Sequence, residues 1–119
     1  MRLILLNIIL FLGFGLSAQR MASVSSEKSI KEGLSSGMLT FTFPEDLGKD
    51  EINKVASYYE QYFTVLFNEE SHQINVKMIQ NDSRSRLVVT RFLTANGIDK
   101  IVVGAREMTI DEFNSTYLK

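Results

Sequence analysis

The side chains with the widest chemical range here are one histidine, five methionines and four pairs of neighbouring carboxylates, in a chain without cysteine. The missing thiols exclude disulfides, thiolate metal sites and thiol nucleophiles. His72 is the only imidazole, and no recognisable nucleophile motif stands beside it, so serine-type hydrolysis has no base to work with. A soft-metal site would have to draw on His72, Met38 and Met78. His72 and Met78 lie on one extended segment, about 20 Å apart at the usual rise per residue, so the three do not converge on one ion. Met38 and Met78 read as packing residues that neighbouring strands bring near each other, and His72 as a solvated turn residue.

The carboxylate pairs are Glu45-Asp46, Asp50-Glu51, Glu69-Glu70 and Asp111-Glu112. General acid–base work needs two such groups in different environments across a cleft, whereas adjacent ones at helix starts and turn tips are capping or hydrated. Glu45, Asp46 and Asp50 do not have the spacing of a calcium loop. Pro44 to Lys49 has no arginine-bearing, glycine-rich phosphate cradle. Arg84, Arg86 and Arg91 lie on or beside the polar face of the second helix, with Lys77 and Arg106 nearby in sequence, while the first-helix region is more acidic, with Glu45, Asp46, Asp50, Glu51 and Glu60, the pattern of two solvated helix faces or of a docking surface. The sequence therefore assigns no catalytic, cofactor-binding or metal-ligating residue.

Composition bounds the rest. Among 119 residues, 13 basic side chains balance 14 acidic ones, which does not make a surface for nucleic acid. Met1 and Arg2 begin the chain with positive charge, Leu3 to Leu16 is almost wholly apolar, and Ser17-Ala18 returns it to small and polar residues. That is the export pattern, predicting a signal peptide over 1–18 cut after Ala18. The apolar run is shorter than the roughly 20 residues of a spanning helix, so membrane contact is expected only through this segment if it stays uncleaved. The destination is the periplasm or the extracellular space. Residues 19–37, rich in serine and charge with no apolar period, read as a flexible arm.

From Met38 onward the pattern sharpens into one domain over 38–119. Leu39, Phe41 and Phe43 alternate with threonines as a strand that Pro44 stops. Ile52, Val55, Ala56, Tyr59 and Tyr62 recur at helical spacing, predicting a helix over 49–62. Phe63, Val65 and Phe67, then Ile74, Val76 and Met78, mark the two arms of a hairpin around a polar turn at 68–71. Asp82 or Ser83 caps a helix over 83–96 with Val88, Val89, Phe92 and Leu93 as its stripe, and Gly97-Ile98 stops it. Lys100 to Val103 is a short strand. Thr109 with Glu112 fits a capping box, and Met108 with Phe113 its hydrophobic staple, for a helix over 110–118.

The order predicts an α+β fold: a ferredoxin-like βαββαβ two-layer sandwich, one four-stranded antiparallel sheet with two helices on one face, plus a short C-terminal helix. Phe63-Thr64-Val65-Leu66-Phe67-Asn68-Glu69-Glu70-Ser71-His72-Gln73-Ile74-Asn75-Val76-Lys77-Met78 and Ser85-Arg86-Leu87-Val88-Val89-Thr90-Arg91-Phe92-Leu93-Thr94-Ala95-Asn96-Gly97-Ile98 resemble the central hairpin and second helix of the heavy-metal-associated domain. The resemblance spans Leu39 to Val103. It implies that family's fold, but its metal-binding cysteine pair has no counterpart in Pro44 to Lys49, so no ligand carries over. Leu66 and Ile79 point away from a one-sided core and, with Tyr58, would form an exposed patch unless the arm or the C-terminal helix covers them. These features describe an exported, non-enzymatic domain that acts by association with a protein partner or with itself. The alternative is a periplasmic metal-handling protein with non-cysteine ligands.

Overall fold

Alternating burial along six short segments builds the sheet of the computed structural model, which describes residues 20–119. The signal segment expected over 1–18 lies outside these residues. In chain order the elements are β1 (Met21–Val24), α1 (Glu27–Ser36), β2 (Met38–Thr42), α2 (Lys49–Ser57), β3 (Phe63–Asn68), β4 (Gln73–Met78), α3 (Ser83–Ala95), β5 (Lys100–Val103), β6 (Arg106–Thr109) and α4 (Ile110–Phe113), which runs on as a π-helical turn over Asn114–Leu118. The strands form one sheet in the order β3-β4-β2-β1-β5-β6. Ala22, Val24, Leu39, Phe41, Phe63, Ile74, Val76, Met78, Ile101, Val103 and Met108 are all buried, and they define the covered face.

The expected four-stranded antiparallel sheet is corrected by this topology. Among the described residues six strands are present, four helices accompany them, and β1 runs parallel to β5. The segment read as a flexible arm supplies the difference. Met21 to Val24 slides between β2 and β5, pairing residue for residue with Lys100 to Val103 but meeting β2 only at Ser23↔Thr42. The strand that a ferredoxin-like order would set beside β2 is thereby displaced by one position. Arg106 to Thr109 then adds β6 outside β5 through the turn at Gly104, whose φ is +62°.

Where β1 leaves β2, α1 takes over. Ser26 caps it by accepting from the Ser29 N–H at 3.1 Å, and Gly37 ends it at φ +84°. Its approach is so close that a Cβ built on Gly33 would stand 2.5 Å from the Met38 carbonyl oxygen. Polar contacts tie down both ends of the described residues. Arg20 exchanges backbone and side-chain hydrogen bonds with Asp99 and pairs with Asp46 at 2.9 Å. At the other end, Tyr117 donates to Glu27 at 2.6 Å.

The hairpin expected over 63–78 is present, with β3 and β4 antiparallel from Phe63↔Met78 to Asn68↔Gln73. Helix α2 stops at Ser57, five residues short of the expected end, because Tyr58 to Tyr62 tightens into turns such as Tyr62 N–H to Tyr59 O at 2.8 Å. Asp82 caps α3 through the Ser85 N–H, and beyond Gly97 the Ile98 N–H returns to Leu93 O at 3.0 Å. The capping box at Thr109 and Glu112 forms in full, but the expected helix over 110–118 keeps α-helical form only to Phe113. Aromatic rings fill the core in two groups, Phe43, Tyr59 and Phe63 around Phe92, and Phe41 and Tyr117 around Phe113.

Candidate functional site

The polar residues singled out by type are mostly occupied with holding the fold. Asp82 sits below its ordinary carboxyl value of 3.8 chiefly because the Ser85 N–H donates to it. Glu112 lies below 4.5 chiefly through the Thr109 N–H. Both folded values are depressed, so the stability these bonds add is present above the ordinary values and fades as pH falls through the lowered ones. Asp82→Asn is therefore expected to flatten the fall in stability on acidification, read as the urea midpoint from about pH 7 down to pH 3.

The other candidates are dispersed. Asp46 is taken by Arg20, Glu51 Oε1 accepts the Gly48 N–H at 3.1 Å, and Arg86 bonds Asn81 and the Leu118 carbonyl. Met38 and Met78 sit on neighbouring strands but on opposite faces, Met38 exposed and Met78 buried. His72 corrects the expectation of a solvated turn residue. It is half-buried at φ +56°, with its ring edge-on to Phe67 at 5.4 Å and Nδ1 shielded, without a partner among the described residues. Among the described residues no three His, Asp or Glu side chains stand close enough to hold a metal ion, and no helix is long and apolar enough to cross a membrane.

Hollows of small-molecule size among the described residues include one of 610 Å³ between the start of α1 and the β5–β6 turn, where Tyr117 already bonds Glu27, and two others. One of 560 Å³ lies between α1 and β2, with Ile30 and Phe41 at its floor and Ser29, Ser36 and Thr40 on its wall. Those hydroxyls already donate, to Ser26 O, Gly33 O and Asn75 Oδ1, and no imidazole lines the hollow to activate one. The other, of 710 Å³, opens between α3 and the start of α4, where the Thr90 and Thr94 hydroxyls turn back to helix carbonyls. Neither presents a nucleophile with a base or a convergent set of free polar groups.

The feature left without a structural duty is the edge of the sheet at β3. Ile79 N–H donates to Tyr62 O at 2.9 Å, which fixes the alternation of an antiparallel pair: Thr64, Leu66 and Asn68 point their backbone groups at β4. Val65 and Phe67 point theirs outward, and among the described residues nothing bonds them. Phe63 also faces out, but its N–H is used by Tyr59 O at 3.3 Å. No charged residue occurs from Gln61 to Asn68, and there is no proline or bulge to blunt the strand. Leu66, on the uncovered face, is 71% exposed, the highest value of any large apolar side chain among the described residues. The opposite edge is different: β6 has only four residues and carries Arg106 and Glu107.

Sequence patterning found Leu66, Ile79 and Tyr58 as apolar residues facing away from the core, and all three are exposed. They do not make one patch, because the Thr64↔Lys77 pair lies between Leu66 and Ile79. What patterning did not single out is that the strand from Phe63 is an edge open to pairing, although the expected order already set it outside β4; the uncharged run from 61 to 68 is the signal that could have shown it.

Comparison with family models finds no match for the chain. No match appears among curated proteins or among solved structures either.

Proposed function

We propose that this chain is an exported, non-enzymatic domain that acts by protein–protein association, with the free edge of β3 as its contact surface. Export rests on the basic, apolar and small-residue succession of Met1 to Ala18. Association rests on one observation: a six-residue uncharged strand offers unpaired backbone groups at Val65 and Phe67 beside a Leu66 left 71% exposed. An extended segment added there gains main-chain hydrogen bonds and covers the half-buried faces of Val65 and Phe67.

A photo-crosslinking residue placed at Thr64, in the cells that make the protein, tests this. Adducts are expected through position 64, and their yield should fall about tenfold with Leu66→Lys, equivalent to roughly 1.4 kcal/mol of contact. A lysine on an edge strand blocks pairing, yet at so exposed a position it should change folding stability by less than about 0.5 kcal/mol. Absence of adducts, or a yield indifferent to Leu66→Lys, would remove the proposal.

A further inference from the structure

The free groups on β3 are self-complementary in one register, and from this we infer that the edge pairs with β3 of a second copy, antiparallel about a two-fold axis through Leu66. The inference rests on the reading of that edge as an association surface, and it names the partner. In an antiparallel pair centred on Leu66, Val65 of one copy lies opposite Phe67 of the partner subunit, and Phe67 opposite the partner's Val65. Both are outward-facing residues, so each exchanges N–H and C=O with its opposite number, and the unpaired backbone groups of Val65 and Phe67 on both copies are all satisfied. Phe63 keeps its bond to Tyr59 and is not called upon.

Side chains fit the same register. Leu66 meets the partner's Leu66 in a position without hydrogen bonds, where side chains of a pair come closest. Thr64 faces Asn68 of the partner subunit on the uncovered side, and Val65 faces the partner's Phe67 on the covered side, an aromatic and β-branched pairing. No charge lies opposite a like charge along the strand. Moving the axis to Val65 breaks this agreement. It would require the Phe63 N–H that Tyr59 already holds, and it would set Glu70 against Glu60 of the partner subunit. A two-fold contact uses the same patch on both copies and closes on itself, so the sheet grows once and stops.

The absence of cysteine makes the register directly readable. Residues in a non-hydrogen-bonded antiparallel pair have Cα atoms about 4.5 Å apart, inside the range a disulfide spans. Leu66→Cys in the chain recovered from its producing cells should therefore form a covalent dimer under mild oxidation. Thr64→Cys should give at least about tenfold less, because the two copies of residue 64 lie about 14 Å apart along the ladder. Thr64→Cys combined with Asn68→Cys restores crosslinking if the register is right. Equal yields from Leu66→Cys and Thr64→Cys would overturn the register. A monomer in sedimentation at about 100 μM, with no crosslink from any variant, would overturn self-pairing. If Thr64 adducts in cells then contain only a different protein, the association surface stands and the second copy does not.

Discussion

Phe92→Ala is expected to remove about 3–5 kcal/mol of folding stability, a large part of the roughly 5–15 kcal/mol a domain of this size has. Phe92 is fully buried on α3, and three rings from three other segments meet it: Phe63 at 5.4 Å, Phe43 at 6.1 Å and Tyr59 at 6.3 Å between centroids. Phe43 follows β2 just before Pro44, Tyr59 lies in the turns after α2, and Phe63 opens β3. Truncation thus leaves a cavity at a junction of several segments, where one element cannot collapse without dragging the others. The edge-on contacts with Phe63 and Tyr59 each add about 0.5–1.5 kcal/mol beyond area. Phe92→Leu keeps most of the volume and is expected to cost only about 1–2 kcal/mol. Urea unfolding midpoints for the two variants check the ranking, and a loss below about 1 kcal/mol for the alanine would contradict the packing described.

The second large effect is one whose sign is unusual. Glycine inside a helix normally gives way to alanine with a gain of about 1 kcal/mol. At Gly33 the added Cβ would stand 2.5 Å from Met38 O and 3.1 Å from Leu39 Cδ2. The first of these is backbone in a strand paired along its whole length with β4, so it has nowhere to yield. Gly33→Ala is expected to lower stability by about 1–3 kcal/mol, the cost of overpacking. Gly48→Ala serves as the contrast, since its Cβ would meet only a flexible Glu51 oxygen at 3.7 Å. A rise in Tm for Gly33→Ala would mean that α1 does not dock on β2.

That same close approach explains why α1 was hidden in the sequence. The helix buries a backbone face, and only Ile30 among its larger side chains is fully covered, so no apolar stripe runs along Glu27 to Ser36. β1 is hidden for a related reason. Its inward residues Ala22 and Val24 are small and its outward Met21 is apolar, so the alternation of a half-buried strand is blurred. Met108 is the one buried side chain of β6. By contrast, the hairpin over 63–78 and the caps at Asp82, Gly97, Thr109 and Glu112 rest on local chemistry, and local chemistry is what a sequence displays. Only Ser26 and Gly37, a cap and a stop ten residues of helix apart, marked α1. Strand order is a different matter, because the insertion of β1 between β2 and β5 depends on contacts nearly eighty residues apart, such as Arg20 with Asp99.

The position of β3 at the end of the sheet is equally non-local, and the functional reading depends on it. Amide hydrogen exchange resolved by residue tests it most directly. In dilute solution Val65 and Phe67 are expected to exchange roughly a hundredfold faster than Thr64 and Leu66, whose N–H groups point at β4, and to slow markedly on assembly. Exchange at Val65 and Phe67 as slow as at Leu66 in the dilute chain, or unaltered on assembly, would contradict a free edge that takes up a partner strand.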